Sequence, residues 1–171
     1  SLRRSHRPRA GALLLMTDQI AEPAELDAVE ERVDAWLRGE LAENPVVAAV
    51  ERGAPGERRW YVRVNGETKD VYTIWFTLRQ RTLAYETYVL PAPEENTSEF
   101  YEHLLRRNRK LHGVTFCIGD EDAVFLVGAL PVDAVDEGEL DRILGTIYAT
   151  VELCFRPALR VGFASRFAGS D

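Results

Sequence analysis

Between Pro23 and Leu41 the apolar residues Leu26, Val29, Val33, Trp36, Leu37 and Leu41 recur at three- and four-residue steps. That spacing gathers side chains on one side of an α-helix. Acids and arginines fill the gaps, and Pro23 suits a first helical turn. Asn44-Pro45 ends the helix, because the residue before proline avoids the helical region. The period then becomes two. Val46–Glu51, Trp60–Asn65, Val71–Leu78 and Leu83–Leu90 are short and rich in β-branched and aromatic residues, which reads as four antiparallel strands. Gly53–Gly56, Asn65-Gly66 and Arg79–Thr82 supply the turns, and Pro91-Ala-Pro93 closes the run. Asn96, with Glu99 three residues on, predicts a capping box and a helix to about Leu111 with Phe100, Leu104, Leu105 and Leu111 as its apolar stripe. Gly113–Ile118 and Ala123–Leu130 form a hairpin around Gly119–Asp122, and Pro131 ends it. A last helix runs from about Asp136 to Phe155 with Leu140, Ile143, Leu144, Ile147, Tyr148 and Val151 on one face. Arg156-Pro157 is expected to stop it, leaving a tail to Asp171 that is irregular or adds a short strand.

The order α-ββββ-α-ββ-α predicts an α+β domain, an antiparallel sheet with helices on one face. Pairing Leu78 with Leu83 puts Tyr72, Ile74, Phe76, Leu78, Leu83, Tyr85, Thr87 and Val89 on the core face. Val71, Thr73, Trp75, Thr77, Ala84, Glu86, Tyr88 and Leu90 then share the opposite face, with Trp75 diagonal to Tyr88. A four-residue loop from Gly66 to Lys69 would turn Trp60, Val62 and Val64 to the Trp75 face. Burial usually sets register, which favours a shift of one that buries Trp60 and brings Tyr61 and Arg63 to the outer face. Exposed aromatics among polar neighbours mark Tyr61, Arg63, Val71, Trp75 and Tyr88 as a protein-contact surface. The competing reading is that a loop or the tail packs over Trp75.

Composition narrows the function classes. At 171 residues, 46% apolar and 29% charged, the chain is long enough for one domain with a core of its own. Residues 1–15 carry four arginines and no acid, so a formal −7 for the whole chain leaves −11 on the rest. This predicts a disordered basic extension over residues 1–15 and a single domain over residues 16–171, with Met16 reading as a natural start. A secretion signal at Ala10–Met16 is weaker, because the apolar run has only seven residues and no small-x-small site follows. The acidic body argues against nucleic acid as a partner. No apolar run reaches membrane-span length, and two cysteines build neither a disulfide framework nor a four-cysteine zinc site. The expected location is the cytoplasm.

The candidate chemistry is sparse, and neither a catalytic residue nor a metal site is expected. No Gly-x-Ser-x-Gly occurs, and Cys117 lies mid-strand, where a buried apolar thiol is the expected occupant. His103 and His112 are nine residues apart, which is not a ligand spacing. Gly119-Asp-Glu-Asp122 lacks the alternating oxygens and distal glutamate of a calcium loop and reads as a polar turn. Arg106, Arg107, Arg109 and Lys110 have two readings. They complement a helix C-terminus, or they form an anion-binding cluster for phosphate or an acidic peptide, without a glycine-rich phosphate loop.

Tyr101-Glu-His-Leu-Leu-Arg-Arg-Asn108, Leu111-His-Gly-Val-Thr-Phe116 and Val124-Phe-Leu-Val-Gly-Ala-Leu-Pro131 resemble the YbjN family. Glu139-Leu-Asp-Arg-Ile-Leu-Gly145, Ala158-Leu-Arg-Val-Gly-Phe163, Arg81-Thr-Leu83 and Leu90-Pro-Ala-Pro93 extend the resemblance over roughly Leu26 to Phe163. It implies a fold like the type III secretion chaperones, including the Tir chaperone, which commonly dimerise and bind extended segments of partners. The family also carries a label as a sensory-transduction regulator. It implies no enzyme activity, no catalytic residues and no cofactor. The expectation is a non-enzymatic protein- or peptide-binding module, chaperone-like or regulatory, acting as a homodimer. The alternative is a small-ligand or phosphate-sensing module built on Arg106–Lys110.

Overall fold

The computed structural model describes residues 19–167. The expectations for residues 1–15 and Met16 lie outside that range. Helix α1 spans Pro23–Glu43 and is followed by β1 (Val47–Arg52), β2 (Arg59–Asn65), β3 (Val71–Leu78) and β4 (Thr82–Leu90). Then come α2 (Thr97–Asn108), β5 (Thr115–Ile118), β6 (Val124–Pro131) and α3 (Glu137–Gly162). The six strands form one sheet in the order β1-β2-β3-β4-β6-β5, every neighbouring pair antiparallel. This is the α+β arrangement expected.

Alternation along the strands separates two faces. Trp60, Val62 and Val64 of β2, Ile74 and Phe76 of β3, Leu83 and Tyr85 of β4, and Leu126 of β6 are buried under the helices. Asn65 pairs with Val71, so the β2–β3 connection is the longer loop that puts Trp60 in the core. The Trp60 indole nitrogen donates to Asp34 of α1 at 2.7 Å, which satisfies the one polar group that its burial removes from water. α1 is tied to α3 by Trp36, whose Nε1 donates to Asp141 at 2.7 Å. It also contributes Val29, Val33 and Leu37 to the core.

Several expectations are corrected. α3 does not stop at Pro157 but continues to Gly162. Proline removes one backbone donor, yet Ala158 is buried and Gly162 lies against Phe100 and Pro93, so packing of the last turn outweighs the lost bond. The tail adds a 3-10 turn, Ala164–Arg166, rather than a strand. Asn96 caps no helix with its side chain. It sits in the left-handed region (φ 51°), and its Nδ2 donates to Val161 at the end of α3. The working cap is Asp136, which accepts from the Glu139 N–H at 2.8 Å. Leu41 and Leu105 leave their apolar stripes and are exposed. Leu90 is also corrected. A bulge between Tyr88 and Leu90 lets Tyr88 oppose Phe125 while Leu90 opposes the adjacent Val124. The extra residue, Val89, flips the alternation and buries Leu90 on the core face.

Candidate functional site

The outer face of the sheet carries no helix among the described residues, and its surface is set by strand register. One row crosses all six strands through Glu51, Tyr61, Trp75, Glu86, Val127 and Thr115. Beside it Tyr88 opposes Phe125, and Phe125 opposes Cys117. The Phe125 ring lies between the two predicted aromatics, with its centroid 6.4 Å from that of Trp75 and 5.7 Å from that of Tyr88, edge-on to the latter. Three rings thus form one ridge. Next to it is a shallow hollow of about 220 Å³ lined by Ala49, Glu51, Tyr61, Arg63, Thr73 and Trp75. The hollow pairs an apolar wall with one acid and one guanidinium, a surface suited to a side chain with a polar end.

Of the residues expected on this surface, Tyr61, Arg63, Trp75 and Tyr88 are brought together. Val71 shares the face and is exposed, but it lies at the loop end of β3 opposite Asn65. It is roughly 13 Å from Trp75 at the usual strand rise. Phe125 was not legible as a surface residue, because its neighbour β4 is separated from it by α2 and β5. Cys117 joins the same face, and burial together with the Glu86 carboxylate pushes its thiol pKa up, which keeps it protonated. That is the opposite of an activated nucleophile.

One end of the ridge is clamped from the β2–β3 loop. Glu152 of α3 accepts from the N–H groups of Glu67 and Thr68 and from the Thr68 hydroxyl, which seats the loop on the helix. Lys69 then reaches the bulge, where its Nζ donates to the carbonyls of Tyr88 and Val89, both at 2.8 Å.

Two further features flank α2. An apolar groove of about 260 Å³ separates α2 from the edge strand β5, with Tyr101, Leu105, Asn108, Phe116 and Ile118 among its lining. The Asn108 side chain accepts from the Phe116 N–H at 2.8 Å and donates to the Phe116 carbonyl at 3.1 Å, occupying the strand edge as a neighbouring strand would. The second feature is an open cavity of about 510 Å³ lined by His103, Arg106, Arg107, Arg109 and Lys110. All four predicted cations therefore converge, and His103 joins them while His112 does not line the cavity. The Gly119–Asp122 tip folds as a 3-10 turn over Asp120–Asp122. Among the described residues no group of three or more His, Cys, Asp and Glu side chains could hold a metal ion. No helix among them is long and apolar enough to cross a membrane.

Comparison with known proteins gives a family. The YbjN family model, described as "Putative bacterial sensory transduction regulator", matches residues 31–160. Uncharacterized protein Rv0487 of Mycobacterium tuberculosis is 35% identical over 104 residues, covering 61% of this chain and 57% of the relative. Uncharacterized protein ML2442 of Mycobacterium leprae is 32% identical over 114 residues, covering 66% and 62%. The chain therefore spans less than two thirds of these relatives. Among solved structures, the Yersinia pestis type III secretion chaperone SycH, in complex with a stable fragment of YscM2, is similar in fold. It aligns with 15% identity and a TM-score of 0.45 over 68% of this chain and 94% of that one.

Proposed function

The chain belongs to the YbjN family, and from that premise we propose that it is a non-enzymatic protein- or peptide-binding module, chaperone-like or regulatory, that acts as a cytoplasmic homodimer without a cofactor. The observation that carries this reading is the Trp75–Phe125–Tyr88 ridge beside the hollow, on the sheet face that carries no helix among the described residues. The outward face of an antiparallel sheet is ordinarily polar. Tryptophan and tyrosine there bury large areas with few rotatable bonds, which makes them strong anchors for a partner. The test is to select peptides on the full chain from a displayed library and measure their affinity for wild type and Trp75→Ser. A loss of about 2 kcal/mol, roughly thirtyfold in Kd, is expected. Equal affinity for both proteins removes the ridge from the function.

The second copy is assigned to the α2–β5 flank. Leu105 and Ile118 are 68% and 54% exposed on the two sides of the groove. With Asn108 seated on the β5 edge, copies meet there through side chains rather than by extending the sheet. Light scattering at micromolar concentration is expected to give twice the 19.3 kDa chain mass, and Leu105→Asp is expected to return monomers. A monomeric wild type rejects the dimer.

A further inference from the structure

The cations at the end of α2 exceed what the helix requires. A helix C-terminus presents a partial charge of roughly −0.5. Among the described residues only Arg106 of the four cations has a carboxylate partner, donating through Nε and Nη2 to Glu102, and that pair is exposed. Dipole and Glu102 together offset about 1.5 charges, which leaves roughly +2.5 at one spot on an acidic protein. Arg107, Arg109 and Lys110 form no ion pair among the described residues.

The cluster is also shaped. His103 and Arg107 are one turn apart on α2, Arg106 lies between them on the same side, and Arg109 and Lys110 follow in the turn that ends the helix. That turn is fixed by backbone bonds from Lys110 N–H to the Arg107 carbonyl and from Leu111 N–H to the Asn108 carbonyl. The five side chains line an open cavity of about 510 Å³, within the size range of small-ligand sites. At about 100° per residue, His103, Arg106 and Arg107 leave the helix roughly opposite Tyr101, Leu105 and Asn108, so the cavity is separate from the apolar groove. Burial and the nearby Arg107 hold the His103 pKa below its ordinary value, so the guanidinium and ammonium groups carry the positive charge.

We propose that this cavity binds a short phosphate chain, of the kind carried by a nucleoside triphosphate or by inorganic tripolyphosphate. Guanidinium forks match phosphate oxygens two at a time, and Lys110 adds a mobile point charge. A single phosphate would leave part of the cluster unneutralised, whereas a chain of two or three spans it. A long polyanion is disfavoured, because beyond the cluster it would run over a surface that carries the chain's excess of acids. This site is distinct from the aromatic ridge and goes beyond the protein-binding reading.

The test is isothermal titration of the full chain in about 150 mM salt with tripolyphosphate, ATP, inorganic phosphate and a short single-stranded RNA. Tripolyphosphate is expected to bind at least tenfold more tightly than phosphate or RNA. ATP matching tripolyphosphate assigns recognition to the chain alone, and tighter ATP adds contacts to the nucleoside. The variant Arg107→Gln/Arg109→Gln/Lys110→Gln is expected to lose at least tenfold in affinity with an unchanged melting temperature. Should its melting temperature fall, the exposed pair Arg109→Gln/Lys110→Gln is expected to show the same direction of loss. Binding that persists in these variants belongs to the arginines of residues 1–15 and overturns the proposal. So does the absence of tripolyphosphate binding, or RNA binding more tightly than tripolyphosphate.

Discussion

Lys69 holds Tyr88 twice. Its Nζ accepts no bond but donates to the Tyr88 carbonyl at 2.8 Å, and it stands 5.0 Å from the centroid of the Tyr88 ring. The bulge after Tyr88 takes the local carbonyls out of the regular ladder, and the ammonium supplies the donor they need, bonding Val89 as well. The rings of Tyr72 and Phe155 complete an aromatic surround at 5.9 and 5.6 Å. One side chain therefore shapes the bulge that buries Leu90 and the ring that ends the outer ridge.

This placement predicts a pH dependence. Burial lowers the Lys69 pKa from 10.5 to about 8. Between these values the unfolded chain holds the proton that the folded chain has released, so stability due to this group rises from about pH 8 toward 10.5. The buried tyrosines Tyr72 and Tyr85, whose pKa values are raised, act in the opposite direction, but only as pH passes about 10. Urea unfolding at about pH 7.5 and pH 9.5 is expected to show wild type gaining stability relative to Lys69→Met. The same pH slope in both proteins would show that Lys69 is not desolvated.

Asn108 is expected to matter for stability beyond its size. Replacing it by alanine strands the N–H and carbonyl of Phe116 at a sheet edge partly shielded by α2. The cost expected is about 1–3 kcal/mol, measured by chemical denaturation. Asn108→Asp keeps the acceptor for the Phe116 N–H and loses the donor to its carbonyl, so its cost should fall between wild type and alanine. Indistinguishable unfolding midpoints for all three would mean that water replaces the amide freely.

Local features were readable in the sequence wherever the determining partner lay nearby. The α1 stripe from Val29 to Leu37, the β3–β4 register through Leu78 and Leu83, and the choice of core for Trp60 all follow from spacing and burial within one or two elements. What was not readable depended on distant partners. Pro157 stays helical because Gly162 packs on Phe100 and Pro93. Asn96 turns left-handed because its amide is committed to Val161. Leu90 turns inward because of a bulge whose carbonyls are bonded from Lys69, twenty-one residues earlier in the chain. Phe125 joins the outer ridge through β4–β6 pairing across α2 and β5. The cations of residues 106–110 were visible as a run, but only the fold shows that they line an open cavity with His103.

Two glycines should respond oppositely to alanine. A Cβ on Gly128 would lie 2.2 Å from the Gly113 carbonyl oxygen and 2.4 Å from the Tyr85 ring. Tyr85 is itself fixed there by its hydroxyl donating to Gly113 at 2.6 Å. Gly128→Ala is therefore expected to cost about 1–3 kcal/mol or more as overpacking. Gly145 is exposed within α3 and has open space around its Cβ position, so Gly145→Ala should stabilise by about 0.5–1 kcal/mol through helix propensity. Thermal unfolding of the two variants decides the matter, and a tolerated Gly128→Ala would contradict the β4–β6 register.

Trp75 and Phe76 are adjacent in β3 and point to opposite faces, which makes them a controlled pair. Phe76 is fully buried, edge-on to Trp36 with ring centroids 6.0 Å apart and 6.3 Å from Tyr85. Truncating it to alanine opens a core cavity and is expected to cost roughly 3–5 kcal/mol of unfolding free energy. Trp75 is only half-buried, and its ring neighbour Phe125 shares the exposed face. Losing that neighbour forfeits about 0.5–1.5 kcal/mol of aromatic pairing and part of the indole's own burial. Trp75→Ser should therefore unfold at clearly higher denaturant than Phe76→Ala while losing partner affinity, because on the proposed function the ring's remaining area is what a partner contacts. Equal destabilisation of the two variants with partner affinity intact would make the outer ridge ordinary packing and remove the binding assignment.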